Sequence, residues 1–196
     1  MTESFIEALV LDRREAGEYD TLVDLYTKEK GKITARAKSA RKITSKLSPY
    51  LEPLNLIQAR VLEGGENPAG RASFQIVDAL GAERFPLTPQ NLRLAALVNQ
   101  LTFELDPDPR LFHVLRESFA GPVPYGTGAG REGTAARYQG VLAVLGYDPT
   151  HAECGACGKA PELFSPADMA FYCGACAAPL VTHAFQSGED ELVSIV

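Results

Sequence analysis

The sequence predicts a multi-domain α+β protein, with a five-stranded β-barrel followed by a helical region that carries a cysteine cluster. Three observations lead there. Five short apolar segments crowd the first 80 residues, a helical apolar period takes over after residue 88, and all four cysteines fall between 154 and 176. The 196 residues, 45% apolar and 22% charged, can bury one or two modest cores. This composition excludes collagen, low-complexity disorder and a coiled-coil rod.

The strand candidates are residues 5–12 (FIEALVLD), 21–27 (TLVDLYT), 31–38 (GKITARAK), 54–62 (LNLIQARVL) and 71–78 (RASFQIVD). Turn chemistry separates most of them, in AGEYD, KEKG and EGGENPAG. A longer polar connection, 39–53, is closed by Pro49 and Pro53. Five short strands with one long central connection fit a small closed barrel of the OB type. The predicted domains are the OB-type barrel at 1–80, a helical domain at 81–150 and a cysteine-bearing module at 151–180. The remaining tail, 181–196, could open a returning helical segment.

Thr88-Pro89 reads as an N-cap followed by proline at the first helical position, with Leu94, Leu97, Leu101 and Leu105 at helical spacing. Asp108-Pro109 repeats the signal ahead of Leu111, Leu115 and Phe119. A third helix is predicted from Thr134 to about Leu145, with Tyr138, Leu142 and Leu145 inward and a stop at Gly146. Residues 121–133 hold 7 Gly or Pro in 13 and read as a loop. Gly128, Gly130 and Gly133 in that stretch match the dinucleotide fingerprint formally, but the fingerprint needs a preceding strand and here a helix precedes it.

Cys154-x2-Cys157, fifteen residues, then Cys173-x2-Cys176 is the spacing of a tetrahedral four-thiolate zinc site. With every position taken by sulfur, none is open to water, so the expected Zn2+ is structural. A metal-free hairpin and a redox cysteine pair are the competing readings. His151 and His183 find no vacancy as ligands.

The overall charge of −6 conceals a contrast. Residues 81–196 carry 7 basic and 13 acidic side chains, whereas 1–80 carry 12 of each. Within that half, 28–46 hold eight cations against Glu29 alone. In the segment 31–38, Ile33, Ala35 and Ala37 alternate with Lys32, Thr34, Arg36 and Lys38, which puts three cations on one strand face. Ser39, Arg41, Lys42, Thr44, Ser45 and Lys46 extend the run with groups that contact phosphates. A solvated face usually carries mixed signs, so the segment points to a nucleic-acid groove. Tyr26 and Tyr50 flank it and could stack on bases, although lone aromatics of this kind are more often core.

Catalytic signatures are missing: no nucleophile elbow, no Walker A lysine, no HExxH. His113, His151 and His183 lack recognisable partners, and His113 is expected to pack on its helix. The expectation is a protein that is not an enzyme. No apolar run approaches the roughly 20 residues needed to cross a bilayer. No basic residue precedes the first apolar stretch, so no secretory signal is read and a cytoplasmic protein without a membrane partner is expected.

The run GEYDTLVDLYTKEKGKITARAKSARK, followed by SKLSPYLEPLNL, resembles the N-terminal OB domain of the RecO family of DNA repair proteins. The family's Gly-Glu-x-Asp and Thr-x-x-x-Gly-Lys patterns fall here on Gly17, Glu18 and Asp20, then on Thr27, Gly31 and Lys32. VLGYDPTHAECGACG and FYCGAC resemble the family's approach to its zinc knuckles, and the likeness runs from about residue 5 to 180. It implies a nucleoid-associated recombination mediator that binds single- and double-stranded DNA and anneals complementary strands. With RecR, such a mediator helps RecA load onto strands coated by the single-stranded-DNA-binding protein. The implied DNA contacts are Lys32, Arg36, Lys38, Arg41, Lys42 and Lys46, and the implied zinc ligands are Cys154, Cys157, Cys173 and Cys176. The family usually continues into further C-terminal helices, where this chain has the short acidic run GEDELVSIV. The reading from a different class is a zinc-ribbon adaptor of a nucleic-acid assembly that does not itself bind DNA.

Overall fold

A computed structural model describes residues 2–66, 72–121, 128–187 and 192–196. The chain divides into two compact units, Met1–Ala120 and Gly121–Val196.

The first unit is built on five strands: β1 (Thr2–Ala16), β2 (Asp20–Thr27), β3 (Gly31–Ala37), β4 (Asn55–Glu66) and β5 (Ala72–Arg84). Their ladder runs β1-β2-β3-β5-β4 and returns to β1, so the sheet closes into a barrel. All pairings are antiparallel except β3 with β5, which run parallel from Ala35–Phe74 to Ala37–Ile76. This is the arrangement of an OB barrel. Strand alternation fills the interior with small and branched side chains, among them Ala8, Val23, Ile33, Ala35, Ile57 and Ala59, all at most 1% exposed. Register shifts at Val10/Asp12 in β1 and Arg60/Val61 in β4 bend those strands, the usual device for curling a sheet. Leu51 and Ala40, from the 38–54 connection, are buried against this core, with Tyr50 partly buried beside them.

The β2–β3 turn explains the Thr-x-x-x-Gly-Lys pattern. The Thr27 hydroxyl accepts from the Lys30 N–H (2.9 Å) and donates to the Gly31 carbonyl (3.1 Å). Gly31 takes φ of +67°, the left-handed position that ends a three-residue hairpin loop. A Cβ there would lie 2.2 Å from the Asp106 carbonyl oxygen, because a strap after the first helix crosses the turn. The strap is held by the Leu105 N–H donating to the Lys32 carbonyl (2.9 Å).

Two helices complete this unit. In α1 (Pro89–Leu101) the Thr88 hydroxyl accepts from the Asn91 N–H at 3.2 Å, as its sequence signal predicts. Its Leu94, Leu97, Val98 and Leu101 are buried. Leu105 departs from the expected periodicity: the helix stops at Leu101, and Leu105 sits in the strap with φ of +61° and 48% exposed. Its backbone serves Lys32 instead of continuing the helix. In α2 (Pro109–Ala120) the Asp108 carboxylate accepts from the N–H groups of Arg110 (2.8 Å) and Leu111 (3.4 Å). Leu111, Leu115 and Phe119 are buried, and the Phe119 ring lies 5.9 Å from that of Phe85.

The second unit contains α3 (Gly128–Val144), β6 (Leu163–Ser165), β7 (Ala170–Tyr172), α4 (Gly174–Ser187) and β8 (Val193–Ser194). Here α3 begins six residues before the predicted start, which corrects the reading of 128–133 as loop; residues 122–127 lie outside the described ones. Glycine disfavours helix without forbidding it, and extending a helix costs less than nucleating one. The nearest described element before the Gly128–Gly133 fingerprint is α2, not a strand. As expected, α3 stops just ahead of Gly146: its last residue is Val144, Gly146 takes φ of +91°, and the Tyr147 N–H donates to the Leu142 carbonyl (2.8 Å). Leu142 and Tyr138 are buried, and Leu145 is half-buried. The segment after the last cysteine holds more than a tail. The helix α4 runs to Ser187, and β8 joins β7 and β6 in a three-stranded sheet. No helix among the described residues is long and apolar enough to cross a membrane.

Candidate nucleic-acid interface and metal centre

The outer face of β3 bears out the alternation. Ile33, Ala35 and Ala37 are buried, while Arg36 and Lys38 are exposed. Past β3 the chain is stitched to the β1–β2 turn. The Asp20 carboxylate accepts from the Ser39 N–H (2.7 Å) and from the Arg36 guanidinium (2.7 and 2.6 Å). These bonds hold the Asp20 carboxyl below its usual range, the Ser39 N–H contributing most. The Arg41 N–H donates to the Tyr19 carbonyl (2.9 Å), and its guanidinium reaches the carbonyls of Gly17 and Glu18 and the Glu15 carboxylate (2.8 Å). The Gly-Glu-x-Asp pattern therefore has a physical role. Gly17, at φ of +67°, makes the turn, and Asp20 anchors the basic loop to it.

The eight cations of 28–46 meet different fates. Lys30 pairs with Glu63, Arg36 with Asp20 and Arg41 with Glu15, so acids from β1, β2 and β4 neutralise part of the segment. Lys42 lies over the Tyr19 ring, 5.1 Å from its centroid. The side chains of Lys28, Lys38 and Lys46 make no hydrogen bond or ion pair among the described residues. Lys32 differs from all of these: its ammonium donates to the Asn99 carbonyl in α1 (2.6 Å) and is partly buried. Burial pushes its pKa down, against the pull of Asp24 and Glu104. The face thus presents Arg36, Lys38, Arg41, Lys42 and Lys46 outward, and turns Lys32 toward the helix.

Beside Lys32 lies an open cleft of about 540 Å³ lined by Arg14, Asp24, Thr34, Asn99, Phe103 and Glu104, among others. Asp24 is buried within it and accepts from Arg14 (2.6 Å), Thr34 (2.7 Å) and Asn99 (3.2 Å). With the Asp24 and Glu104 carboxylates in its wall, the cleft is a poor place for phosphate.

Neither tyrosine considered for stacking is available in the expected way. Tyr26 is 1% exposed, its hydroxyl accepting from the Asp108 N–H (3.3 Å), and Tyr50 packs half-buried on the barrel core. The aromatic at the basic face is Tyr19, 45% exposed, which the sequence reading passed over. Its signal was its place in a tight turn, where a side chain has no core to enter. Ile43, fully exposed in the basic loop, is another apolar side chain on this surface.

Among the histidines, His113 is exposed beside Glu117 (3.2 Å), which replaces the packed position expected for it, and His151 is exposed beside Asp148 (3.4 Å). The side chain of His183 lies outside the described residues.

In the second unit all four cysteine sulfurs lie within 4.8 Å of one another. The first pair sits on a knuckle, where the Cys157 and Gly158 N–H groups donate to the Cys154 carbonyl and Gly158 takes φ of +70°. The β6–β7 hairpin then delivers Cys173, and Cys176 follows in the first turn of α4. Sulfurs about 2.3 Å from a tetrahedral zinc stand about 3.8 Å apart. The Cys157–Cys173 separation is 3.6 Å. Four thiols this close cannot all ionise unaided. The Cys173 N–H draws Cys154 down to about 6, whereas hydrogen bonding with the sulfurs of Cys157 and Cys173 pushes Cys176 up to about 12. A cation among them is what would let all four ionise, so the donor set fits a thiophilic metal.

A closed five-stranded barrel with a stitched basic loop, accompanied by a four-cysteine cluster, defines an OB-barrel protein with a metal-competent second unit. The family described as Recombination protein O N terminal matches residues 1–68. Proteins named DNA repair protein RecO are similar over much of the chain. The Myxococcus xanthus protein is 33% identical over 79% of this chain and 64% of its own length. The corresponding proteins of Anaeromyxobacter sp. and Pelotomaculum thermopropionicum are 32% and 31% identical over 90% and 88% of this chain, and 72% and 68% of their own lengths. The chain belongs to the RecO family. It spans 45% of the Syntrophobacter fumaroxidans relative.

Proposed function

We propose that this chain is a DNA-binding recombination mediator of DNA repair. The exposed face of Arg36, Lys38, Arg41, Lys42 and Lys46 takes the phosphates of single- and double-stranded DNA without strong base preference. The observation that carries this reading is the stitched loop. Backbone and side-chain tethers from Ser39 and Arg41 hold it to the β1–β2 turn, while the side chains of Lys38 and Lys46 make no hydrogen bond or ion pair among the described residues. A face that lowers the repulsion between two strands and leaves base edges untouched can anneal them. The family resemblance supports work with RecR, placement of RecA, and contact with the single-stranded-DNA-binding protein. Cys154, Cys157, Cys173 and Cys176 would hold a structural Zn2+, and the chain is a binding protein rather than an enzyme.

Anisotropy of a labelled single-stranded oligonucleotide at several salt concentrations tests the reading. Three to five phosphate contacts give a log–log slope of about −2 to −3.5. Absence of binding at low salt overturns it. The neutralisation of Lys30, Arg36 and Arg41 by barrel carboxylates favours a second reading, a zinc-ribbon adaptor whose loop contacts protein, and that outcome would select it.

A further inference from the structure

We infer that Tyr19 is a base-stacking station, so that the basic face distinguishes unpaired bases from the sugar-phosphate chain alone. The inference rests on the proposed DNA-binding reading and adds to it a residue and a ligand chemistry: single-stranded nucleic acid with accessible base faces.

Tyr19 occupies the β1–β2 turn and is 45% exposed. Its backbone carbonyl receives the Arg41 N–H (2.9 Å), which fixes the turn against the basic loop. Arg41 also binds the Gly17 and Glu18 carbonyls, and Asp20 holds Ser39 and Arg36. The ring is therefore carried on a braced platform among cations, the combination that single-strand binders use to seat a base beside its phosphates. Lys42 now lies 5.1 Å from the ring centroid. A cation over an exposed ring is held less firmly than a stacked base, so an arriving base takes the ring and returns Lys42 to the backbone. In a duplex the bases are already stacked on each other and have no face to offer. The tether to Arg41 uses the Tyr19 main chain, so changing the side chain leaves the platform in place.

The chain contains no tryptophan, which gives a direct readout. In the full-length Tyr19→Trp protein, emission is followed while a thymidine oligomer or an abasic oligomer of equal length is added, with anisotropy of the labelled DNA recorded in parallel. The expected result is quenching by the thymidine oligomer alone, and tighter binding of it than of the abasic one. Tyr19→Ala should lose about fivefold or more in affinity for the thymidine oligomer, with its salt slope and its affinity for abasic and duplex DNA unchanged, while Tyr19→Phe keeps the preference. Binding by anisotropy with unchanged tryptophan emission overturns the stacking role and leaves the DNA-binding reading standing. Equal losses by Tyr19→Ala on thymidine, abasic and duplex DNA overturn it as well, by showing a structural role. Absence of binding to every oligomer overturns the DNA-binding reading and this inference together.

Discussion

Lys32 and Lys38 lie on the same strand face six residues apart, yet the structure assigns them opposite behaviour toward a polyanion. The ammonium of Lys32 is committed to the Asn99 carbonyl at 2.6 Å, whereas Lys38 and Lys46 reach solvent unpaired among the described residues. Each phosphate contact contributes about 0.7 to the log–log salt slope on a single strand. Five contacts, from Arg36, Lys38, Arg41, Lys42 and Lys46, give a slope of about −3.5, which means about a 130-fold loss of affinity between 50 and 200 mM salt. The double variant Lys38→Ala with Lys46→Ala removes two contacts, bringing the slope to about −2.1 and the loss to about 18-fold. Lys32→Met should leave the slope at the parent value and instead lower the denaturation midpoint, because the Asn99 carbonyl loses its donor. The assay is anisotropy of a labelled single strand over that salt range for the three proteins. A Lys32→Met slope reduced by about 0.7, the share of one phosphate contact, would refute the assignment of cations to the face.

Three further expectations follow from the geometry. Gly31→Ala forces an L-residue into φ of +67° with its Cβ 2.2 Å from the Asp106 carbonyl oxygen, so the strap must shift and the Leu105–Lys32 bond is lost; urea denaturation should show a loss of about 2–4 kcal/mol. Elemental analysis should find one zinc per chain, and chelation or Cys173→Ser should unfold the second unit while far-UV circular dichroism retains the barrel signal. The Asp20 carboxyl is held below its ordinary value of 3.8, so the unfolded chain binds more protons than the folded one through that window. Its contribution is complete above the ordinary value and disappears as pH falls through the lowered one; acid titration of Asp20→Asn should therefore show a smaller stability loss below that value than the parent.

The parts legible in the sequence were those encoded by neighbours. Thr88-Pro89 and Asp108-Pro109 announce their helices because a cap and its N–H partners are two or three residues apart. Alternation in β3 places its faces correctly since side-chain direction in a strand has a period of two. The cysteine spacing points to the thiolate cluster, each pair spanning a single local turn. The early starts of α3 at Gly128 and of α4 at Gly174, ahead of the helical segment expected from 181, were hidden by glycine and by Pro179, residues whose penalties a helix absorbs.

The fate of individual side chains was another matter. Net charge along 28–46 describes a chain, not a surface, and Glu15, Asp20 and Glu63 come to that surface from other strands. Lys32 meets Asn99 across 67 residues, and Tyr26 meets Asp108 across 82, distances at which no pattern of neighbours specifies a contact. Leu105 keeps helical spacing but lies outside the helix, because its N–H is taken by Lys32. Spacing and period settle which residues face together within one element. Which of them remain open to a ligand depends on what the closed barrel brings against them, since burial and pairing are properties of the assembled chain.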